Sequence, residues 1–131
     1  MSSPRFDDAD LAAWLAQADD AALDALGYGA IGFGRDGRIT RYNAWESRAA
    51  GFPVAEVLGQ DLFVELAPCM NNYLVAARFE DAAAAGQPLD QTLPYVLTFR
   101  MRPTPVHLRL LARPGDVCRW VLVLRSAGSA A

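Results

Sequence analysis

Residues 42 to 69 read YNAWESRAAGFPVAEVLGQDLFVELAPC, and the rest of the chain is organised around this stretch. It contains two short helical segments and closes on Ala67-Pro68-Cys69. Because Pro68 fixes its own φ and disfavours the α conformation for Ala67, the backbone before Cys69 should be extended or turning. That geometry would hold the thiol of Cys69 in a fixed direction at the mouth of a pocket.

Each notable residue of this stretch also has an ordinary structural interpretation. A lone cysteine such as Cys69 is often a small buried hydrophobic residue. Asn43 and Glu46 have the spacing of a capping box, in which Asn43 caps a helix and Glu46 reaches back to it. Tyr42 could simply end a half-buried strand. From spacing alone, the functional and the structural interpretations both remain open.

The composition describes one globular domain. With 131 residues, 53% of them hydrophobic, and a formal net charge of −3, the chain can bury a core without disulfides or metals. It has no apolar run of transmembrane length and no signal peptide, so the sequence predicts a cytoplasmic protein with no membrane partner. All the basic residues are scattered arginines, which argues against a nucleic-acid partner.

Cysteine and histidine usage predicts neither a metal site nor a disulfide framework. Cys69 and Cys118 lie in different contexts, and the single histidine, His107, has no recognised ligand spacing to either thiol. We therefore assign Cys118 and His107 to structure or surface. A cysteine-nucleophile enzyme would need a base near Cys69, but His107 falls on the outward phase of a distant strand, so the sequence predicts no catalytic residue.

The first 26 residues predict two short helices, the first capped by Asp10 and the second by Asp19 or Asp20. The apolar residues that share one face of each helix are Leu11, Trp14 and Leu15, then Leu23 and Leu26 before Gly27. Neither helix is long enough to be stable alone, so each needs a surface on which to dock. We expect this segment to cap the main fold; the alternative is an inert extension.

The remaining chain predicts two strands, a run of short helices and three more strands. The predicted strands are 28–33, 38–42, 95–101, 106–112 and 117–124. The predicted helices are 43–49, 53–58 and 73–85, the last capped by Asn72. Turns are expected at 35–37, where an Asp-Gly pair suits a hairpin, and at 114–116, whereas Pro103-Thr104-Pro105 should end the third strand.

This order predicts an antiparallel α+β fold and is that of a PAS domain, a five-stranded sheet flanked by short helices. Residues 117–124 are apolar on both faces, with Cys118 in phase with Trp120, so both faces of the sheet should be covered. The helices between the second and third strands would cover one face and the N-terminal cap the other. We expect a cap at 1–26, a core at 27–125 and a flexible tail at 126–131.

Several motifs together resemble one family. The principal ones are Tyr42-Asn43-Ala44-Trp45-Glu46, Gly51, Asp61-Leu62-Phe63 and Ala67-Pro68-Cys69. Further likeness occurs at Gly29-Ala30-Ile31, Asp36-Gly37, Phe79, Met101-Arg102-Pro103-Thr104 and Trp120-Val121. Over about residues 20 to 125, the chain resembles the photoactive yellow protein family, blue-light receptors of the PAS fold. The resemblance implies p-coumaric acid attached by a thioester to Cys69, with Tyr42 and Glu46 hydrogen-bonded to its phenolate oxygen.

The resemblance also implies a mechanism. Light would isomerise the pigment from trans to cis, and Glu46 would pass a proton to the phenolate. Glu46 would then be a buried, uncompensated charge, which is costly enough to loosen a weakly held N-terminal cap. The signalling partner is unknown, and we expect a monomer or a weak dimer. The alternative is a PAS interaction or ligand-sensing module that binds no pigment.

The pocket lining implied by the resemblance is Ile31, Ala50, Phe52, Leu62, Leu66, Ala67, Pro68, Met70, Leu97, Phe99 and Met101. Some of these positions depart from the family pattern. Ala50 stands where the family usually has a threonine bonded to the tyrosine hydroxyl, and Phe52 where it has an arginine lid. Leu62, Leu97 and Phe99 replace other aromatic residues. None of these changes removes the attachment residue or the two phenolate donors.

Overall fold

The computed structural model describes residues 3–98 and 103–125. The helices in this part of the chain are α1 (Leu11–Gln17), α2 (Asp20–Asp24), α3 (Ala44–Ala50), α4 (Val54–Val57) and α5 (Ala76–Ala85). Between α4 and α5 lie a π-helical turn, Leu62–Leu66, and a 3-10 turn, Pro68–Met70. None of the helices in these ranges is both long and apolar enough to cross a membrane.

The strands form one antiparallel five-stranded sheet, which confirms the predicted α+β fold. They are β1 (Gly29–Phe33), β2 (Ile39–Tyr42), β3 (Leu89–Leu97), β4 (Thr104–Ala112) and β5 (Arg119–Arg125). Their order across the sheet is β2-β1-β5-β4-β3, so the last strand lies at the centre beside the first. This arrangement brings the end of β5 next to the start of β1, where Gly29 pairs with Val123.

Two separate apolar cores cover the two faces of the sheet, as the apolar pattern of β5 predicts. One core packs the connecting helices against Ile31, Leu108, Leu110 and Val121, with Phe79 of α5 fully buried in it. The second core lies under the N-terminal helices. Its buried members are Leu11, Leu15, Leu23, Leu26, Tyr28, Ala30, Leu111, Trp120 and Leu122, and Cys118 packs against them.

The N-terminal helices dock on the sheet, but their ends differ from the prediction. The side chain of Asp10 makes no capping hydrogen bond, whereas Asp19 accepts one from the amide of Ala22 at 2.8 Å. Helix α2 ends at Asp24, three residues before Gly27. Gly27 is therefore not the residue that stops the helix. The division at residue 26 into cap and core stays a prediction.

The connecting helices follow local sequence signals closely, with one late start. Asn43 caps α3, and Gly51 ends it in the left-handed conformation at φ 80°. Helix α5 begins at Ala76 rather than at 73. The side chain of Asn72 accepts hydrogen bonds from the amides of Leu74 and Val75, and these hold residues 73–75 in a turn.

The β3–β4 hairpin is the largest error of the sequence analysis. Strand β3 runs from Leu89 to Leu97 rather than from 95 to 101. It therefore ends before Pro103-Thr104-Pro105, and β4 already begins at Thr104 rather than at 106. Pro94 is tolerated because it lies on the edge strand, which has a sheet neighbour on one side only. Pro105 comes one residue before Val106, where the pairing of β4 with the described part of β5 begins. Residues 99–102 and 126–131, including Phe99, Met101 and the expected tail, lie outside the described residues.

Candidate functional site

Tyr42 lies at the point where β2 ends and the chain turns into α3. Its side chain is 6% exposed and belongs to the core beneath the connecting helices. Its hydroxyl is buried and has no hydrogen-bond partner among the described residues. Burial raises the pKa of this hydroxyl strongly, and the neighbouring carboxyl of Glu46 raises it further. Tyr42 is therefore a protonated donor that still needs an acceptor.

Glu46 lies in the first turn of α3 and is fully buried. Arg125 at the end of β5 donates from Nη1 to Oε1 at 2.7 Å and from Nη2 to Oε2 at 3.1 Å. Burial raises the pKa of the Glu46 carboxyl, and the contact with Arg125 opposes this rise without cancelling it. The expectation that an ionised Glu46 would be uncompensated is therefore wrong, because a cation already touches both of its oxygens.

Space for the Glu46 carboxyl depends on Gly29. A Cβ atom at position 29 would lie 2.0 Å from Oε1 of Glu46 and 2.9 Å from its carboxyl carbon. A side chain at position 29 would therefore displace the carboxyl group of Glu46. The Glu46 carboxyl therefore fits against β1 because residue 29 is a glycine.

Asn43 makes only half of the predicted capping box. Its Oδ1 accepts hydrogen bonds from the amides of Glu46, at 3.1 Å, and of Ala30, at 3.0 Å. Its Nδ2 donates to the carbonyl oxygens of Leu23, at 2.9 Å, and of Tyr28, at 3.0 Å. Because the carboxyl of Glu46 is engaged with Arg125, the return half of the box is absent from these contacts. Asn43 instead ties α2, β1 and α3 together.

Cys69 follows the π-helical turn and lies within the 3-10 turn. Ala67 has φ −132° and ψ 65°, which confirms that the residue before Pro68 leaves the α region. Cys69 is half-buried and packs against the same core that contains Tyr42. Its carbonyl oxygen accepts hydrogen bonds from the hydroxyl of Tyr95 and, at 3.1 Å, from Nδ2 of Asn72. The turn that contains Cys69 is therefore anchored to the edge strand β3.

Most of the predicted lining residues gather in one apolar cluster with Tyr42. The predicted lining residues that are fully or nearly fully buried in this cluster are Ile31, Leu62, Leu66, Ala67, Met70 and Leu97. Phe52 is partly buried and packs against this cluster, so an aromatic side chain stands where the family pattern has an arginine. Ala50 is buried at the end of α3, and Pro68 is exposed. Cys118 belongs to the opposite face of the sheet, and His107 is exposed on β4.

Three important residues escaped the sequence analysis. Arg125 and Tyr95 gave no local signal, because each meets its partner only across the fold. Arg109 was not singled out from the sequence, yet it is 4% exposed and is covered by the N-terminal segment. Its guanidinium pairs with Asp90 at 2.9 Å and donates to the carbonyl oxygen of Phe6 at 2.8 Å. An arginine amid the apolar residues of β4 was the one available signal.

Comparison with known proteins finds photoactive yellow proteins. The chain is 30% identical to that of Rhodothalassium salexigens over 125 residues, which covers 95% of this chain and 99% of the relative. The identity and the coverage are the same for that of Halochromatium salexigens. No protein-family model matches the chain.

Solved structures give the same result for the fold. The photoactive yellow protein domain of the sensor histidine kinase Ppr from Rhodospirillum centenum matches with a TM-score of 0.75 and 35% identity, covering 82% of this chain and 94% of that one. The PAS domain of an HTR-like protein from Haloarcula marismortui matches with a TM-score of 0.57 and 17% identity, covering 88% and 96%. The second likeness shows the PAS fold alone.

Proposed function

The chain belongs to the photoactive yellow protein family, and from that premise we propose that it is a blue-light receptor with p-coumaric acid attached by a thioester to Cys69. The observation that carries the proposal is the Tyr42 hydroxyl, which has no hydrogen-bond partner among the described residues. It is buried beside the carboxyl of Glu46, in the apolar cluster against which Cys69 packs. A buried donor without an acceptor suits a site that receives an oxyanion.

Three residues would hold the pigment. The thiol of Cys69 would attack the carbonyl carbon of an activated p-coumaroyl donor, forming the new thioester while the donor's leaving group departs with the thiol proton. Tyr42 and Glu46 would donate to the phenolate oxygen, because a phenolate taken out of water is tolerable only with strong hydrogen bonds. Glu46 can donate only as a neutral acid, and the raised pKa of its buried carboxyl favours that form.

When bound, the pigment would supply absorption of blue light, a double bond that isomerises from trans to cis, and an oxygen that can take a proton. Glu46 would give up its proton to that oxygen and become a carboxylate on α3. The same helix contacts the N-terminal cap, since Asp24 of α2 accepts a hydrogen bond from the amide of Ala44 at 2.7 Å. A shift of α3 would thus weaken the docking of α2 without disturbing the sheet.

Neither rival function is favoured by a specific contact. A pigment-free PAS sensing module would have no need for the buried Tyr42 hydroxyl and Glu46 carboxyl, nor for a half-buried thiol beside the cluster that contains Tyr42. An enzyme with Cys69 as nucleophile would need a base at the thiol. The described hydrogen bonds at Cys69 reach its carbonyl oxygen instead. A cytoplasmic location and a protein signalling partner complete the proposal.

Incubation with an activated p-coumaroyl donor tests the proposal. We expect the purified chain to turn yellow, to gain the mass of one coumaroyl unit, and to bleach reversibly under blue light. Absorption spectra and intact mass before and after incubation measure both effects. A chain that gains no mass and no colour is the pigment-free module, and the photoreceptor proposal is then wrong.

Light should loosen the N-terminal helices more than the sheet. Helices α1 and α2 have seven and five residues, so docking rather than helix propensity holds them. We expect hydrogen exchange to rise most in α1, α2 and α3 under steady blue light, with little change in β4 and β5. The matched control is the Cys69→Ala variant under the same light. Equal exchange in dark and light in the pigmented protein contradicts the signalling mechanism.

A further inference from the structure

The buried contact between Glu46 and Arg125 crosses from the helical layer to the end of the central strand. The side chain of Glu46 is fully buried and that of Arg125 is 15% exposed. Both guanidinium nitrogens at the tip of Arg125 face both carboxyl oxygens, which is the fork geometry of an arginine on a carboxylate. A neutral acid has one acceptor oxygen and one hydroxyl, so it matches this fork only in part.

We propose that Arg125 is the counter-ion of Glu46, a positioning residue that receives the carboxylate formed when Glu46 gives up its proton. This rests on the proposed function and adds a residue to it. In the neutral acid, one oxygen accepts from Arg125 and the hydroxyl remains available to the phenolate. In the carboxylate, both oxygens accept from Arg125. Proton release therefore tightens a link between α3 and β5 rather than leaving an isolated buried charge.

Among the described residues around Glu46, Arg125 is the cation that contacts its carboxyl group. The described contacts of the Glu46 carboxyl run to Arg125, and Tyr42 is the other titratable group coupled to it. Strand β1, on which α3 packs, has no titratable side chain. Helix α2 contributes Asp20, which pairs with Arg41, and Asp24, whose carboxylate binds the Ala44 amide.

Titration of Glu46 in the full chain before pigment loading tests this role. The chain has four glutamates, and the three others, Glu56, Glu65 and Glu80, are exposed. Carbon-13 labelling of the glutamate carboxyls should therefore give one unusual NMR signal, which Glu46→Gln assigns by removing it. We expect Arg125→Met to move the Glu46 midpoint to higher pH, because the guanidinium that favours the carboxylate is gone. Arg125→Gln should do the same, and Arg125→Lys should restore part of the difference.

Arg119→Met is the matched control, since it removes an arginine from the other end of β5. It should leave the Glu46 midpoint unchanged. The role as counter-ion is wrong if Arg125→Met and Arg125→Gln leave the midpoint in place, or if Arg119→Met moves it equally. Because this measurement needs no pigment, its failure is distinct from a failure of pigment attachment.

Stability against pH gives a second readout of the same contact. A carboxyl whose folded pKa lies above its unfolded value binds its proton more tightly in the folded state. The contribution of Glu46 to folding stability is therefore fully present below the unfolded pKa. It is lost as the pH rises through the raised pKa of the folded state. Arg125→Met should raise the folded pKa of Glu46 further. The pH range over which folding stability is lost should therefore become wider and extend toward neutral pH. Adding Glu46→Gln should remove the extra dependence, and a double variant as pH-sensitive as Arg125→Met contradicts the assignment.

Discussion

We expect Cys69→Ala to abolish attachment of the proposed pigment and Cys118→Ala to leave it intact. Cys69 is half-buried in the turn beside the cluster that contains Tyr42, and its backbone is anchored by Tyr95. Cys118 lies on the opposite face of the sheet, under the N-terminal helices. Burial also raises the pKa of the Cys118 thiol above its ordinary value, so a smaller fraction of Cys118 is in the nucleophilic thiolate form than in an exposed cysteine. Intact mass and visible absorption after incubation with the activated donor measure the result.

Both cysteine variants must be shown to fold before this comparison is interpreted, and circular dichroism in the far ultraviolet is sufficient. The expected outcome is complete loss of the added coumaroyl mass in one variant and full retention in the other. A yellow Cys69→Ala protein would place the attachment site elsewhere. A colourless Cys118→Ala protein would make the cap-facing thiol part of the site.

Asn43→Ala should cause the largest loss of stability among the polar residues of the site. The substitution leaves the amides of Ala30 and Glu46 and the carbonyl oxygen of Tyr28 without the partner that Asn43 supplies. The carbonyl oxygen of Leu23 also loses Asn43 but still accepts from the amide of Leu26. At about 1–3 kcal/mol for each unsatisfied group, with part of the cost relieved by entering water, we expect a loss of about 4 kcal/mol. Urea unfolding of the pigment-free chain measures it.

The matched control is Asp19→Ala, which removes an ordinary cap of α2 with a single hydrogen bond on an exposed side chain. That variant should lose only about 1 kcal/mol. Similar losses in both variants would mean that Asn43 is a simple helix cap. Because Asn43 ties α2 to β1 and α3, its loss should also raise hydrogen exchange across α2, whereas a simple cap of α3 would not.

Features set by neighbouring residues could be predicted from the sequence. Pro68 restricts Ala67 by direct steric contact, so the turn before Cys69 appears as expected. Asn43 caps α3 because its side chain reaches an amide three residues on. Strand β5 is apolar on both faces, and a sheet with such a strand must be covered on both sides. This predicted the two cores that the structure has. These determinants act over a few residues or through total hydrophobicity.

Tertiary structure alone decided which distant side chains meet. Arg125 and Glu46 are 79 residues apart in the chain. They meet because β5 pairs with β1 and α3 packs on β1, which Gly29 allows by leaving room for the carboxyl. Arg109 lies under Phe6, 103 residues away, for the same kind of reason. A local sequence pattern predicts that a charged side chain is exposed to solvent. Only sheet order and register supply the partner that makes its burial favourable.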